Sequence, residues 1–143
     1  MRHELAGLRA SVRSVRGGLV ATSDGLLVAA DVPGDEPEQI AALAATLVGL
    51  ARYSVSVARA GTLVEAVVGG TEGYVAAFAL GDAAVMAVLG EADLDVAVLR
   101  ARARPIVDRL AGLAGRFAGF VTPAEAGERI AAEREHLPGR HPS

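Results

Sequence analysis

The chain has 143 residues, 52% of them hydrophobic and only 3% aromatic, with a formal net charge of −3. That length suits one domain with a core of its own, built mainly from Ala, Val and Leu. The charge balance argues against a general nucleic-acid or anionic-membrane binder, which carries a basic footprint, and the lack of cysteine removes thiolate nucleophiles, disulfides and Cys-based metal sites.

All 14 basic residues are Arg, a usage in keeping with the codon bias of a high-GC bacterium. The start, Met1-Arg2-His3-Glu4-Leu5, is charged and lacks the roughly 7–15-residue apolar stretch of a secretory signal, so a cytoplasmic location is expected. The longest uncharged apolar run, residues 40–51, falls short of the ~20 residues of a membrane span.

Leu5, Leu8 and Val12 recur at helical spacing and predict a first amphipathic helix reaching about Ser14, with Gly17-Gly18 as its stop. Leu19-Val20-Ala21-Thr22 and Leu26-Leu27-Val28-Ala29-Ala30 flank Ser23-Asp24-Gly25. An Asp-Gly between two apolar runs is a hairpin signal, because Gly accepts the positive φ of a tight turn. A second helix starts around residues 35–38, where Asp35 is placed to cap, Glu38 to reach back and Pro37 to occupy the first turn. It runs to about Arg52, with Ile40, Leu43, Leu47 and Leu50 along one stripe.

Three β-like runs follow, residues 62–68, 74–80 and 83–89, separated by Gly69-Gly70-Thr71-Glu72-Gly73 and by Gly81-Asp82. Such short breaks predict an antiparallel meander. Both alternating faces are apolar, so the sheet is expected to be covered on both sides. A third helix, capped by Asp93 and reaching about Phe120, has Leu94, Val98, Ala101, Leu110, Leu113 and Phe117 as buried candidates. Pro105 predicts a kink or a break in it. Thr122-Pro123-Ala124-Glu125 matches a capping box and predicts a C-terminal helix to about His136. The fold class is α/β (α+β): a five-stranded antiparallel sheet with helices on both faces, in the order α-β-β-α-β-β-β-α plus a C-terminal helix. The domain is expected over residues 2–120, with 121–143 as an extension and tail.

The second helix is apolar nearly all round, whereas a helix lying on a sheet keeps a polar outer face. Fully burying each of Leu43, Leu47, Val48 and Leu50 is worth about 1.5–3 kcal/mol, so a further surface is expected to cover its second side. Ala41, Ala45 and Gly49 stand at i, i+4 and i+8, a small-residue ridge that lets another helix approach closely. A second copy of the same helix is the simplest partner. The alternative is cover by the chain's own third or C-terminal helix.

With Gly18-Leu19-Val20 leading into Ser23-Asp24-Gly25-Leu26, an Ala/Leu-rich second helix and a Gly-bounded meander ending in Ala87-Val88-Leu89, the chain resembles the roadblock (dynein light chain) family over roughly residues 2–118. The resemblance implies a dimer of like or paired chains, in which the third strand pairs with its copy and the second helices lie side by side. The expected dimer interface is Ala41, Ala45, Val48, Gly49, Thr62, Val64 and Ala66, with Gln39, Thr46, Arg52 and Tyr53 as the surface for a partner. Bacterial members often accompany small Ras-like GTPases, which makes such a GTPase the expected client. The alternative is a structural adaptor in a sensor-kinase complex, indifferent to nucleotide state.

Chemical motifs are weak by comparison. The three histidines, His3, His136 and His141, lie near the termini without metal-ligand spacing. Ser23 lacks a nucleophile elbow and reads as a turn residue. The Gly69–Gly73 stretch lacks the lysine and following helix of a P-loop. Arg102, Arg109 and Arg116, with Arg100 and Arg104, give the third helix a basic side, read as a solvated face beside Asp95 and Asp108. Arg52 and Arg59 flank the second helix, where an arginine finger is the sharper alternative. No catalytic residue, cofactor or metal is expected.

Overall fold

A computed structural model describes residues 1–34 and 36–117. In chain order the elements are α1 (Arg2–Ser11), β1 (Val15–Thr22), β2 (Leu27–Asp31), α2 (Pro37–Val57), β3 (Glu65–Gly70), β4 (Gly73–Leu80), β5 (Ala84–Glu91) and α3 (Val96–Phe117). The strands form one sheet in the order β2-β1-β5-β4-β3, and every neighbouring pair is antiparallel. The β1–β2 hairpin ends at one edge and the β3–β4–β5 meander begins at the other, and α2 carries the chain between them. At 21 residues it is about 31 Å long, ample to cross five strands spaced ~4.8 Å apart.

The two faces carry different cores. On one, α1 and α3 cover Val20, Phe78, Leu80, Met86 and Val88 with Leu5, Leu8, Leu99, Ile106 and Leu110. On the other, α2 sets Ala41, Ala44 and Val48 against Leu19, Ala21, Ala77, Val85 and Ala87. β4 shows the alternation directly: Ala76, Phe78 and Leu80 face the helix pair and Ala77 faces α2. The expected two-sided cover is therefore present.

Several boundaries move. Helix α1 stops at Ser11, where Val12 turns extended, and Gly17-Gly18 lie within β1 instead of ending the helix. Their requirement is steric: a Cβ on Gly17 would sit 2.5 Å from the Asp31 carbonyl oxygen, and one on Gly18 3.1 Å from that of Ala87. The β1–β2 turn is as expected, with Gly25 at φ 95° and the Thr22 amide donating to the Leu26 carbonyl at 2.8 Å. The expected Asp35 cap lies outside the described residues, and Glu36 occupies the N-cap without a side-chain bond. Strand β3 begins at Glu65, so Thr62 and Val64 precede it, and Gly69, Gly70 and Gly73 belong to strands joined by Thr71-Glu72.

Helix α3 is capped by Asp95, not Asp93: its Oδ1 accepts from the Ala97 and Val98 amides at 3.0 and 3.2 Å. The helix runs through Pro105 without the expected break. Pro105 and Ala101, whose carbonyl loses its helical donor there, are both exposed, so water can replace that bond. The buried stripe is Leu99, Ala103, Ile106, Leu110 and Ala114, while Val98 is 44% exposed and Ala101 is also exposed. The expected C-terminal helix lies outside the described residues.

Candidate interaction surface

Helix α2 meets the sheet through its smallest side chains. Ala41, Ala44, Ala45 and Val48 are its buried residues, and the sheet opposite is itself alanine-rich. Small residues on both sides allow a close helix–sheet approach and turn the larger side chains outward. The expected small-residue ridge is thus corrected in direction. Ala41, Ala45 and Val48 are covered within the chain and are not available to a second helix; Gly49 is exposed.

The outward side of α2 is apolar. Leu43, Leu50, Tyr53 and Val57 are each about two-thirds exposed, and Val64, Val67 and Val68 are exposed on and just before β3. Gln39 and Thr46 share the outward side of α2, with the Thr46 hydroxyl turned back to the Ala42 carbonyl at 3.0 Å. Beyond α2, Thr62 is exposed and Ala66 half-buried. By length and composition alone, α2 is apolar enough to cross a membrane, a departure from the 12-residue run read from the sequence; its packing makes it a layer of the domain. β3 is an edge strand, so its outer backbone groups have no neighbouring strand among the described residues. An exposed apolar helix face beside an open strand edge is the kind of surface on which another chain can pack.

The polar groups around this surface are largely engaged. Arg52 donates to the Gly81 carbonyl at 2.6 Å and to Asp82 Oδ1 at 3.3 Å, fastening α2 to the β4–β5 turn. Ser23 donates to the Asp82 carbonyl at 2.7 Å, the turn role read from the sequence. Arg52 is thereby a structural residue of the turn, half-buried beside the exposed Tyr53. Arg59 holds φ 53°, and its amide and that of Ala60 donate to the Ser56 and Val55 carbonyls. This is a Schellman end with Arg in the left-handed position usually given to Gly.

The basic side of α3 is partly spent on the fold. Arg100 makes a two-pronged ion pair with Glu65, including Nη2 to Oε2 at 2.9 Å, and so ties the edge strand to the helix. The hydrogen bonds that Arg100 donates to the Glu65 carboxylate raise the Arg100 pKa above its ordinary value. Arg109 binds Glu4 in the same way. Sequence reasoning missed both pairs, since their partners are 35 and 105 residues away. Among the described residues no group of three or more His, Asp or Glu is placed to hold a metal ion. His136 and His141 lie outside the described residues.

A sheet with one alanine-bedded helix on one face, a helix pair on the other, and an open apolar edge defines an α+β interaction domain. The chain belongs to the roadblock/LC7 family: the Roadblock/LC7 domain matches residues 1–90. Among solved structures, a roadblock/LC7 domain from Streptomyces avermitilis is similar with a TM-score of 0.73 at 23% identity, covering 79% of this chain and 96% of that one. MglB of Myxococcus xanthus has a TM-score of 0.70 at 13% identity, with 78% and 92% covered. MglC of the same organism gives 0.56 at 16%, with 78% and 96% covered. Comparison with curated protein sequences gives no match.

Proposed function

We propose that the chain is a non-catalytic regulatory module that acts as a homodimer and offers the paired α2 helices to a small Ras-like GTPase. The observation that carries this reading is the outward side of α2, where Leu43, Leu50, Tyr53 and Val57 are left two-thirds exposed by the chain itself. Four such side chains in water forgo several kcal/mol of burial, which a second copy recovers. The edge strand β3, with Val67 and Val68 exposed, supplies backbone pairing beside it. Relatives of this fold include an MglB in a tetrameric arrangement and the gliding protein MglB of Thermus thermophilus, which supports self-association and a place in signalling. The partner surface would combine Gln39, Thr46 and Tyr53 from both copies, with Arg52 framing it.

The test is solution mass by light scattering, followed by capture of a small GTPase in its GDP and GTP forms. A mass near 29 kDa, twice 14.5 kDa, and capture of one nucleotide form are expected. Leu50→Arg places a charge in the middle of the interface and should give monomers that no longer capture the GTPase. A wild-type monomer overturns the dimer. Equal capture of both forms favours the nucleotide-indifferent adaptor.

A further inference from the structure

The helical layer opposite α2 stops one strand short. Helix α1 lies over β1 and β2 and α3 over β4 and β5, and among the described residues no helix backbone on this face lies over β3. A helix with its side chains is about 10 Å wide and strands lie ~4.8 Å apart, so each helix covers two strands and the fifth is left over. On this face β3 presents Glu65 and Val67, which stand opposite Phe78 and Ala76 of the core. Val67 is 37% exposed.

The flank of α3 beside this strip is apolar with a positive charge. Val107 and Ala111 are only partly buried against the core. A cleft of about 40 Å³ is lined by Val64, Phe78 and Val107 together with Glu65, Arg100, Arg104 and Asp108. Arg100 is held by Glu65, whereas Arg104 makes no hydrogen bond or ion pair among the described residues. Such a cleft takes an aliphatic side chain that arrives with a carboxylate beside it.

The chain carries a segment of that chemistry, joined to the end of α3. Residues 118–143 hold Ile130 and Leu137 among Glu125, Glu128, Glu133 and Glu135. On the helix expected from the Thr122-Pro123-Ala124-Glu125 capping box, Ile130 and Leu137, seven residues apart, share one side. Residues 118–121 make a short connection, which sets two helices antiparallel and adjacent. From Arg104 to Phe117 α3 runs about 20 Å, a length that the segment retraces. The side of α3 toward α1 is already taken, with Arg109 bound to Glu4 there; the side over β3 is open.

We infer that the strip over β3 and the cleft beside Arg104 are the docking site of the chain's own C-terminal segment, residues 118–143. Ile130 and Leu137 supply the apolar contact, the glutamates surround Arg104, and the segment completes the helical layer. Because the site is on the face opposite α2, it leaves the α2 surface uncovered and does not depend on α2 pairing.

The chain has no cysteine, so one introduced thiol carries one spin label. Full-length Thr62→Cys, labelled with a nitroxide beside the cleft, should broaden the amide NMR signals of residues 125–137 strongly, and Val28→Cys, at the opposite edge of the sheet, only weakly. Arg104→Glu and Ile130→Asp, each added to Thr62→Cys, should restore those signals while the spectrum of residues 1–117 shows the fold intact, and added salt should restore them in part. Equal broadening from the two label positions, or broadening that survives both substitutions, overturns the site. Mixing spin-labelled chains with isotope-labelled, cysteine-free chains identifies the donor: broadening that passes between chains means that the segment docks on another copy, and overturns docking within the chain.

Discussion

Arg109 on α3 grips Glu4 on α1 with both arms of its guanidinium, Nε to Oε1 at 2.9 Å and Nη2 to Oε2 at 2.8 Å. The pair joins the first turn of the chain to the last long helix, and its hydrogen bonds, ahead of the opposing effect of burial, hold the Glu4 carboxyl below its ordinary value near 4.5. A carboxyl whose folded pKa is depressed contributes stability that is present above the unfolded value and is lost as pH falls through the folded value. Arg109→Met should therefore melt below the wild type at neutral pH. The difference should shrink as pH drops below about 4.5 and vanish once Glu4 is protonated in both states. Melting curves across that range decide it, and a difference that persists in strong acid assigns the effect to packing of the Arg stem instead.

Two glycines give opposite expectations. Gly17→Ala forces a methyl group against the Asp31 carbonyl oxygen, 2.5 Å away in an unmoved backbone, and a strand cannot yield there without disturbing the β1–β2 pairing. A loss of about 1–3 kcal/mol is expected in urea unfolding. At Gly49, in the middle of α2, a Cβ meets nothing within 4 Å, so Gly49→Ala should stabilise the fold by ~0.5–1 kcal/mol through helix propensity. A destabilised Gly49→Ala protein would mean that another surface presses on that position.

Much of this architecture is written in local patterns. The Asp24-Gly25 turn, the Gly-bounded meander and the apolar alternation of β4 act over a few residues, and the sheet follows from them. The orientation of α2 is not local. Where a helix is apolar all round, periodicity cannot say which side turns inward; Ala41 and Ala44 win the sheet because Ala21, Ala77 and Ala87 leave a shallow bed there, a fact held 20 to 46 residues away in sequence. The leucine line is left outside by the same logic. Gly17-Gly18 misled as a helix stop because the atom that excludes a side chain, the Asp31 carbonyl oxygen, belongs to another strand. The direction of α2 also changes how its pairing is tested: Ala45→Arg would disrupt the helix–sheet seam, whereas Leu50→Arg acts on the outer face alone.

Arg52 separates two roles cleanly. Its guanidinium is bound to the Gly81 carbonyl and to Asp82, so Arg52→Ala should loosen the β4–β5 turn and cost about 1–3 kcal/mol, as for hydrogen bonds made by a charged donor. Urea unfolding measures this directly. An arginine finger predicts the reverse pattern, unchanged stability with loss of any stimulated GTP hydrolysis in a bound GTPase.

Arg59 ends α2 under strain. As the left-handed residue of the Schellman end, with φ 53°, it occupies a conformation that disfavours every side chain with a Cβ. Arg59→Gly should relieve that strain and stabilise the chain by roughly 1 kcal/mol, less the greater freedom glycine gives the unfolded state. Urea unfolding measures the difference, and a destabilised Arg59→Gly protein would mean that the Arg59 side chain makes a contact worth more than the strain it bears.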